Sequence, residues 1–166
     1  MVYTMIFVNK KDTAEVLQQN LKKRGYSVAM LIGTMDPKDR DDAIDQFRRG
    51  QYNVLISTNV LARGIDVAEV DLVINFDIPT TYFHGFRDPD FATYLHRVGR
   101  TGRFGTDGLA LTLYDYKEDP VEEDFMKQIE KYYQIEIKEL KDIDELKKVY
   151  NEMRAVIEEK ELEGKI

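Results

Sequence analysis

Three arginines recur at intervals of three residues, at positions 97, 100 and 103, and no acidic residue lies between them. On a helix end, side chains three residues apart face the same way, so the spacing predicts that the guanidinium groups converge. Converging cations repel one another unless they bind an anion, and a guanidinium grips a phosphate with two parallel hydrogen bonds. Three glycines interleave with the arginines and allow close backbone approach to a ligand. The segment therefore predicts a site where arginines stabilise charge on a transferring phosphoryl group.

A second cluster, with the sequence STNVLARGID, occupies positions 57–66 directly after the apolar run NVLIS. Ligands of α/β proteins bind where such strands end. Thr58 can offer its hydroxyl to a phosphate, Gly64 can bring backbone N–H groups close, and Asp66 can accept from a ribose hydroxyl or pair with an arginine. A turn that caps the strand explains the polar residues 57–59 equally well. By itself, this cluster leaves both interpretations open.

Five short apolar runs position these clusters, and near-continuous apolar runs are typical of buried parallel strands. They are VYTMIFV, VAMLI, NVLIS, LVINF and LALTLY. Helical patterns separate the first three: one opens at Thr13 and stops at Gly25, and one starts at Asp36 and Pro37 and stops at Gly50. The alternation predicts the α/β class, an open parallel sheet with helices on both faces.

The rest of the chain predicts a loop over 79–94, a helix over 91–98, a helix after Pro120, a strand over 135–140 and a charged helix from 142. The apolar positions of the last helix follow helical spacing, which favours docking against the sheet over solvation. Aromatic residues cluster in the loop, and two more follow in the helix after Pro120. We expect both groups to pack in the core; they are Tyr82, Phe83, Phe86 and Phe91, and then Tyr132 and Tyr133.

Composition excludes several classes of protein. The chain has 166 residues, no Cys and 2 His, which argues against disulfide scaffolds, thiolate chemistry and a metal site. No apolar run approaches the roughly 18 residues that span a bilayer, and no basic region precedes the apolar start, so we expect a cytoplasmic or nuclear protein. The net charge of −7 comes from residues 115–166, because residues 1–114 hold 14 basic and 14 acidic groups. We expect this acidic part to lie away from the phosphate-binding edge.

Together the two clusters resemble motifs V and VI of the DEAD-box RNA helicases, written in that family as ARG-x-D and H-R-x-G-R-x-G-R. Both are complete here. The similarity extends in order over residues 1–141, with MIFVN at 5–9 as motif IV, residues 33–40 and 47–50 as intermediate motifs, and VINFDIP at 73–79. The resemblance implies a second RecA-like domain over 1–141, followed by an acidic C-terminal helix over 142–166.

The phosphate loop G-x-x-x-x-G-K-[ST] of such ATPases does not occur in this sequence. In the family the first domain holds ATP and Mg²⁺, and the second supplies arginines across a cleft. The resemblance therefore implies a domain of an ATP-dependent RNA helicase that clamps single-stranded RNA and separates short duplexes. We expect no ATP hydrolysis by this chain alone.

Residue by residue, the resemblance implies catalytic roles for Arg100 and Arg103 at the γ-phosphate and for His96, which links the cleft to the acidic motif of the other domain. It implies a nucleotide site formed by Gly64, Asp66, Arg100, Thr101, Gly102, Arg103 and Phe104. It implies RNA contacts at Lys10, Gly33, Arg40, Thr58, Arg63 and Gly64, with Arg63 between the two sites. These backbone contacts read no RNA sequence. Lys10 stands where the family usually has Thr or Ser, and Ile32 where it commonly has His.

The long connection between Pro79 and Tyr94, with Asp88 and Pro89, resembles the subfamily that exports messenger RNA. That resemblance implies the cytoplasmic face of the nuclear pore and an export activator that docks with inositol hexakisphosphate. Two other functions are considered. An adaptor that binds RNA or an activator without ATP would require the arginines to be vestigial. A phospho-acceptor receiver domain would require acidic residues at the end of the first strand, which instead ends in Asn9 and Lys10.

Overall fold

The computed structural model describes residues 2–59, 70–102 and 108–163. In chain order the elements are β1 (Thr4–Val8), α1 (Lys11–Lys23), β2 (Val28–Leu31), α2 (Pro37–Arg48), β3 (Val54–Thr58), β4 (Leu72–Asn75), β5 (Thr80–Phe83), β6 (Phe86–Pro89), α3 (Phe91–Val98), β7 (Leu109–Thr112), α4 (Val121–Tyr133) and α5 (Ile143–Glu163). Within these residues, no helix is both long and apolar enough to cross a membrane.

Five strands form one sheet in the order β2-β3-β1-β4-β7, and every neighbouring pair is parallel. The five apolar runs are therefore confirmed as strands of a parallel sheet. Ile6 on β1 pairs with Ile56 on one side and Ile74 on the other. Because all five strands run the same way, their carboxyl ends share one edge, and the polar residues after β1, β3 and β4 meet there.

Helices cover both faces of the sheet, as the alternation of strands and helices predicts. On one face, Met5 and Phe7 pack with Ile44 and Phe47 of α2. On the other face, strand residues pack with Ala14 of α1. A third cluster joins α3 and α4, with Tyr94, Phe125 and Ile129 at its centre. This α/β architecture confirms the predicted fold class.

The helix boundaries differ slightly from those that capping residues predict. The first helix begins at Lys11 rather than at Thr13, and Asp36 precedes the second without a side-chain capping bond. The clearest side-chain cap is that of α3, where Asp90 accepts hydrogen bonds from the backbone N–H and the hydroxyl of Thr93, at 2.9 and 2.7 Å. Gly25 ends the first helical segment at a φ of 87°, a conformation that favours glycine.

The predicted loop over 79–94 contains a β-hairpin, which is a correction to the sequence reading. β5 and β6 pair antiparallel, and His84 and Gly85 form the two-residue turn with φ of 49° and 85°. Positive φ at both turn positions matches the twist of hairpin strands, and the backbone N–H of Asp90 closes the base by donating to the carbonyl of Pro79 at 2.9 Å. His-Gly is a weaker signal for a hairpin turn than Asn-Gly, so the sequence pattern by itself indicates a loop.

The prediction of a strand over 135–140 is wrong, because this segment pairs with no strand among the described residues. Gln134 ends α4 in the left-handed conformation. The backbone N–H of Ile135 then donates to the carbonyl of Glu130, and that of Ile137 donates to the Glu130 carboxylate at 2.7 Å. Glu130 thus satisfies backbone donors that a sheet would otherwise satisfy.

The last helix, α5, docks at the amino edge of the sheet. Met153 is buried, and Tyr150 and Ile157 line a groove with Thr4, the first residue of β1, and Val54, the first of β3. This confirms the predicted docking. It also places α5 at the edge opposite the carboxyl ends of the strands.

Candidate functional site

The side chain of Arg97 joins three strand ends at the carboxyl edge of the sheet. One terminal nitrogen, Nη1, donates to the carbonyl of Asp77 at 2.8 Å and to Oδ1 of Asn75 at 3.3 Å. The other, Nη2, donates to Oδ1 of Asn9 at 2.9 Å and to Oδ1 of Asn59. These acceptors lie at the ends of β1, β3 and β4, so a single guanidinium fixes all three relative to α3.

Arg97 is fully buried, and its guanidinium carbon lies 5.2 Å from the ring centroid of Phe7. Burial lowers the pKa of Arg97 to about 10, while the negative charges of Asp77 and Asp90 act in the opposite direction. The side chain therefore remains charged at neutral pH. Four oxygen acceptors and an aromatic face replace the water that the charge loses.

This arrangement corrects the prediction that the three guanidinium groups converge on one ligand. Arg97 points into the protein and donates from both terminal nitrogens to acceptors of this chain, while its buried Nε has no hydrogen-bond partner among the described residues. Arg100, by contrast, lies in the turn after α3 and is half-buried. The helix ends at Val98, so the shared face that the spacing predicted does not extend through Arg100.

The turn after α3 is anchored at the amino end of β4. The carbonyl of Arg100 accepts from the backbone N–H of Val70 at 3.1 Å, and the hydroxyl of Thr101 donates to the carbonyl of Asp71 at 3.2 Å. Gly102 is exposed with a φ of 69°. A Cβ at Gly108 would lie 1.7 Å from the Thr101 hydroxyl and 2.8 Å from the Gly102 nitrogen, so only glycine fits beside this turn.

The chemistry of this segment suits an anion. Residues 91–106 contain no Asp or Glu. The turn contains the cation of Arg100 and the exposed backbone of Gly102, whereas the hydroxyl of Thr101 already donates to the carbonyl of Asp71. His96 lies exposed on α3, one turn before Arg100. His96 thus lies on α3, and Arg100, Thr101 and Gly102 lie in the turn that follows it; their role in a common site stays a prediction.

The candidate RNA contacts lie at the other edge of the sheet. Lys10 follows β1 and is exposed, and Gly33 lies in an exposed turn after β2. Thr58 ends β3 and is buried, at 8% exposure. Arg40 donates from Nη2 to the carbonyl of Met35 at 3.4 Å, while its buried Nε has no hydrogen-bond partner among the described residues. These four follow or flank the carboxyl ends of neighbouring strands.

Several predicted site residues lie outside the described residues. They are Arg63, Gly64, Asp66, Arg103 and Phe104. The residues described on either side of the first gap are Asn59, at the carboxyl end of β3, and Val70, before the amino end of β4.

The sequence reading missed the asparagines that hold Arg97. Asn9, Asn59 and Asn75 each stand at the end of an apolar run, and this recurrence is the signal that could have found them. In a parallel sheet, polar residues that end neighbouring strands come together. In the folded protein the side-chain amide oxygens of the three asparagines accept hydrogen bonds from the buried Arg97.

Comparisons with known proteins identify the family. The family model described as "Helicase conserved C-terminal domain" matches residues 3–105. The ATP-dependent RNA helicase dbp5 of Aspergillus clavatus is 44% identical over 150 residues, which cover 88% of this chain and 30% of that protein. This chain thus spans about 30% of the length of that curated relative.

Solved structures are similar over nearly the whole chain. The C-terminal domain of the DEAD-box protein Dbp5 aligns with a TM-score of 0.79 and 42% identity, covering 92% of this chain and 83% of that one. Saccharomyces cerevisiae Dbp5 bound to RNA and ADP BeF3 aligns with a TM-score of 0.77 and 42% identity, covering 92% of this chain and 38% of that one. A variant of the same yeast protein bound to a Gle1 variant and IP6 aligns with the same score and identity, covering 91% and 38%.

Proposed function

This chain belongs to the helicase C-terminal domain family, as the second RecA-like domain of a DEAD-box RNA helicase similar to Dbp5, and from that premise we propose how it acts. In the full-length protein it supplies arginines to ATP hydrolysis and holds the RNA backbone, so that closure of the two domains drives RNA unwinding or ribonucleoprotein remodelling. The observation that carries this proposal is the buried Arg97, which fixes the strand ends beside the RNA candidates to the helix that leads into Arg100.

On the nucleotide side, Arg100 and Arg103 stabilise the charge that develops on the γ-phosphate. Thr101, Gly102, Phe104, Gly64 and Asp66 complete this half of the nucleotide site, and His96 contacts the acidic motif of the first domain. ATP and Mg²⁺ are held by that first domain. The absence of acidic residues over 91–106 supports an anionic ligand here.

On the RNA side, Lys10, Arg40 and Thr58 contact phosphates, together with the backbone at Gly33 and Gly64, and Arg63 connects the two sites. The unpartnered Nε of Arg40 supports this role, because a buried N–H donor without a partner is costly unless a ligand accepts from it. Such contacts bind RNA of any sequence.

The similarity to Dbp5 supports a role in messenger RNA export at the cytoplasmic face of the nuclear pore. Structures of yeast Dbp5 are known with Gle1 and IP6 and with Nup159. We infer an equivalent activator that docks on this domain with inositol hexakisphosphate. Binding of this chain to the Gle1 of its own organism, measured with and without IP6, tests that inference.

The decisive experiment measures ATP hydrolysis with single-stranded RNA, either in the full-length protein or after addition of the first domain to this chain. Both should show RNA-stimulated turnover, and this chain alone should show none. Arg103→Ala should lower kcat by on the order of 10³-fold or more, because it removes a cation from the transition state.

Arg24→Ala is the matched control, since Arg24 is an exposed arginine beyond the end of α1. It should leave turnover unchanged. Full activity in Arg103→Ala would show that the assignment of the arginine is wrong. Absence of turnover in the full-length protein, with RNA binding intact, would favour the adaptor function instead.

A further inference from the structure

A groove between the β5–β6 hairpin and α4 is unrelated to the nucleotide and RNA candidates. Its volume is about 710 Å³, within the roughly 300–1,000 Å³ of ligand pockets. Its apolar walls are Phe83 and Phe86 from the hairpin and Val121 and Phe125 from α4. Hereafter we call it the aromatic groove.

The exposure of the hairpin aromatics overturns the expectation that they pack in the core. Tyr82, Phe83 and Phe86 are 72%, 66% and 74% exposed, whereas Phe91 joins the cluster between α3 and α4. Rings held in water cost free energy, and exposed aromatic surface beside a groove is typical of protein interaction sites. Core packing does not explain these side chains.

The groove is held in place by contacts on both sides. Arg87 on β6 forms an ion pair with Asp119, just before α4, and its guanidinium carbon lies 5.1 Å from the ring centroid of Phe125. The closed base at Pro79 and Asp90 fixes the other end of the hairpin. A partner would therefore meet a preformed surface and would not have to order the hairpin first.

The surroundings of the aromatic groove are acidic. Asp88 and Asp124 line it, and residues 115–124 hold six acidic groups against one lysine. Arg87, the basic residue of the lining, is already paired with Asp119, while Asp88 has no ion-pair partner among the described residues. Burial raises the pKa of Glu122, and the charge of Asp119 adds to this effect, as expected where acids crowd.

We propose that the aromatic groove binds a linear segment of a partner protein in which an apolar side chain is flanked by lysines or arginines. The apolar side chain inserts between Phe83, Phe86 and Val121, and the flanking cations pair with Asp88 and Asp124. This combination of an apolar anchor and a charged rim is the usual anatomy of a protein interface.

The same charges exclude polyanions from this surface. RNA could stack its bases on the exposed rings, but its phosphates would face Asp88, Asp124 and the acidic start of α4. Inositol phosphates would meet the same repulsion. The aromatic groove is thus a contact surface separate from the RNA and nucleotide sites.

Fluorescence anisotropy with this chain tests the proposal directly. The probe is a labelled peptide with a central Leu-Phe pair and lysines on both sides. One comparison peptide replaces the central pair with serines, and another replaces the lysines with glutamates. The probe should bind this chain, and each comparison peptide should bind at least about tenfold more weakly.

Two variants locate the binding. Phe83→Ser combined with Phe86→Ser removes the apolar walls, and Asp88→Lys combined with Asp124→Lys reverses the rim charge, so each should weaken probe binding about tenfold or more. Tyr26→Ser is the matched control, because Tyr26 is a 51% exposed aromatic away from the aromatic groove, and it should leave binding unchanged. Circular dichroism and thermal unfolding confirm that each variant is folded.

Nuclear magnetic resonance of the amides completes the test. Titration with the probe should shift resonances of residues 83–88 and 121–128, and titration with oligouridylate RNA should leave them in place. Failure of the probe to bind would overturn the proposal. So would equal binding of the serine peptide, or RNA-induced shifts in these two segments.

Discussion

At the scale of single residues, Arg97 holds three strand ends together, a structural role that the spacing of the arginines did not predict. Arg97 has its guanidinium bound at Asn9, Asn59, Asn75 and Asp77, inside the protein. Arg100, three residues later, lies half-buried in the turn after α3. Equal spacing in the sequence therefore does not place the two side chains in the same environment.

Arg97→Lys should lower the free energy of unfolding by about 2 to 4 kcal/mol, because an ammonium cannot bond four acceptors at three strand ends and leaves buried oxygens unpaired. Urea unfolding followed by circular dichroism measures the loss. Arg49→Lys, at an exposed position after α2, should change stability little. Equal stability of the two variants would contradict the bridging role of Arg97.

Tyr94 makes the protein less stable as the pH rises into the alkaline range. Burial raises the pKa of Tyr94 above 10.0, while a hydrogen bond with Thr112 acts in the opposite direction. The folded state therefore holds the phenol proton more tightly than the unfolded state. This contribution to stability is complete below the unfolded pKa and is lost as pH rises through the folded one.

Unfolding free energies measured from about pH 8 to about pH 11 should therefore fall less steeply in Tyr94→Phe than in the unmodified protein. Arg97, whose pKa is lowered, and Tyr114 and Tyr133, whose pKa values are raised, are present in both proteins, so the difference reports Tyr94. Tyr116→Phe changes a phenol that is 53% exposed and should leave the slope unaltered. Identical slopes for Tyr94→Phe and the unmodified protein would exclude this linkage.

At the scale of elements, α3 connects the two candidate sites. It runs beside β4, with Arg97 contacting the carboxyl end of that strand and Arg100 contacting the segment before its amino end. The turn after α3 then passes against Gly108, before β7. The position of the turn at residues 100–102 therefore depends on close backbone packing at Gly108.

Gly108→Ala should displace this turn, because its Cβ would overlap the Gly102 nitrogen and the Thr101 hydroxyl. We expect a stability loss on the order of 1–3 kcal/mol and a lower kcat for ATP hydrolysis in the full-length protein. Gly25→Ala is the control, because its Cβ would have no atom within 4 Å and only the positive φ of residue 25 would cost stability. It should reduce stability without a specific effect on kcat.

The elements also show where sequence patterns succeed. Alternating apolar runs and helical segments predicted the five strands of the central sheet and all five helices, since burial on both faces of a sheet needs continuous apolar strands. The hairpin at Thr80–Pro89 and the irregular segment after Gln134 were misread. The structure of each segment depends on which hydrogen-bond partners its backbone groups find in the folded protein. The periodicity of apolar residues in the sequence does not specify those partners.

At the scale of the whole molecule, the last acidic helix lies at the edge of the sheet opposite the RNA candidates, whereas the turn that contains Arg100 lies at the same edge as that helix. The excess of acidic residues lies in 115–166, and its last helix docks at the amino edge of the sheet. Lys10, Gly33 and Thr58 lie at the carboxyl edge. The expectation that the acidic part lies away from the phosphate-binding edge therefore holds for the RNA candidates but not for the turn at Arg100.

Met153→Ala should loosen α5 and lower the unfolding free energy by about 2 kcal/mol, because it leaves a cavity where a buried side chain was. Amide hydrogen exchange along α5 should accelerate, while RNA affinity should stay the same. Leu162→Ala, on the same helix but 67% exposed, should do neither. A change in RNA affinity in Met153→Ala would contradict the separation of the two edges.

The sequence by itself determined the fold class, the order of the strands in the chain and the family, because each depends on local period or on residues adjacent in the chain. Only the tertiary structure decided that Arg97 is internal while Phe83 and Phe86 are exposed. Arginine alone would be expected in water and phenylalanine in the core. Three asparagines at neighbouring strand ends reverse the first expectation, and the position of Phe83 and Phe86 on a hairpin outside the central sheet reverses the second.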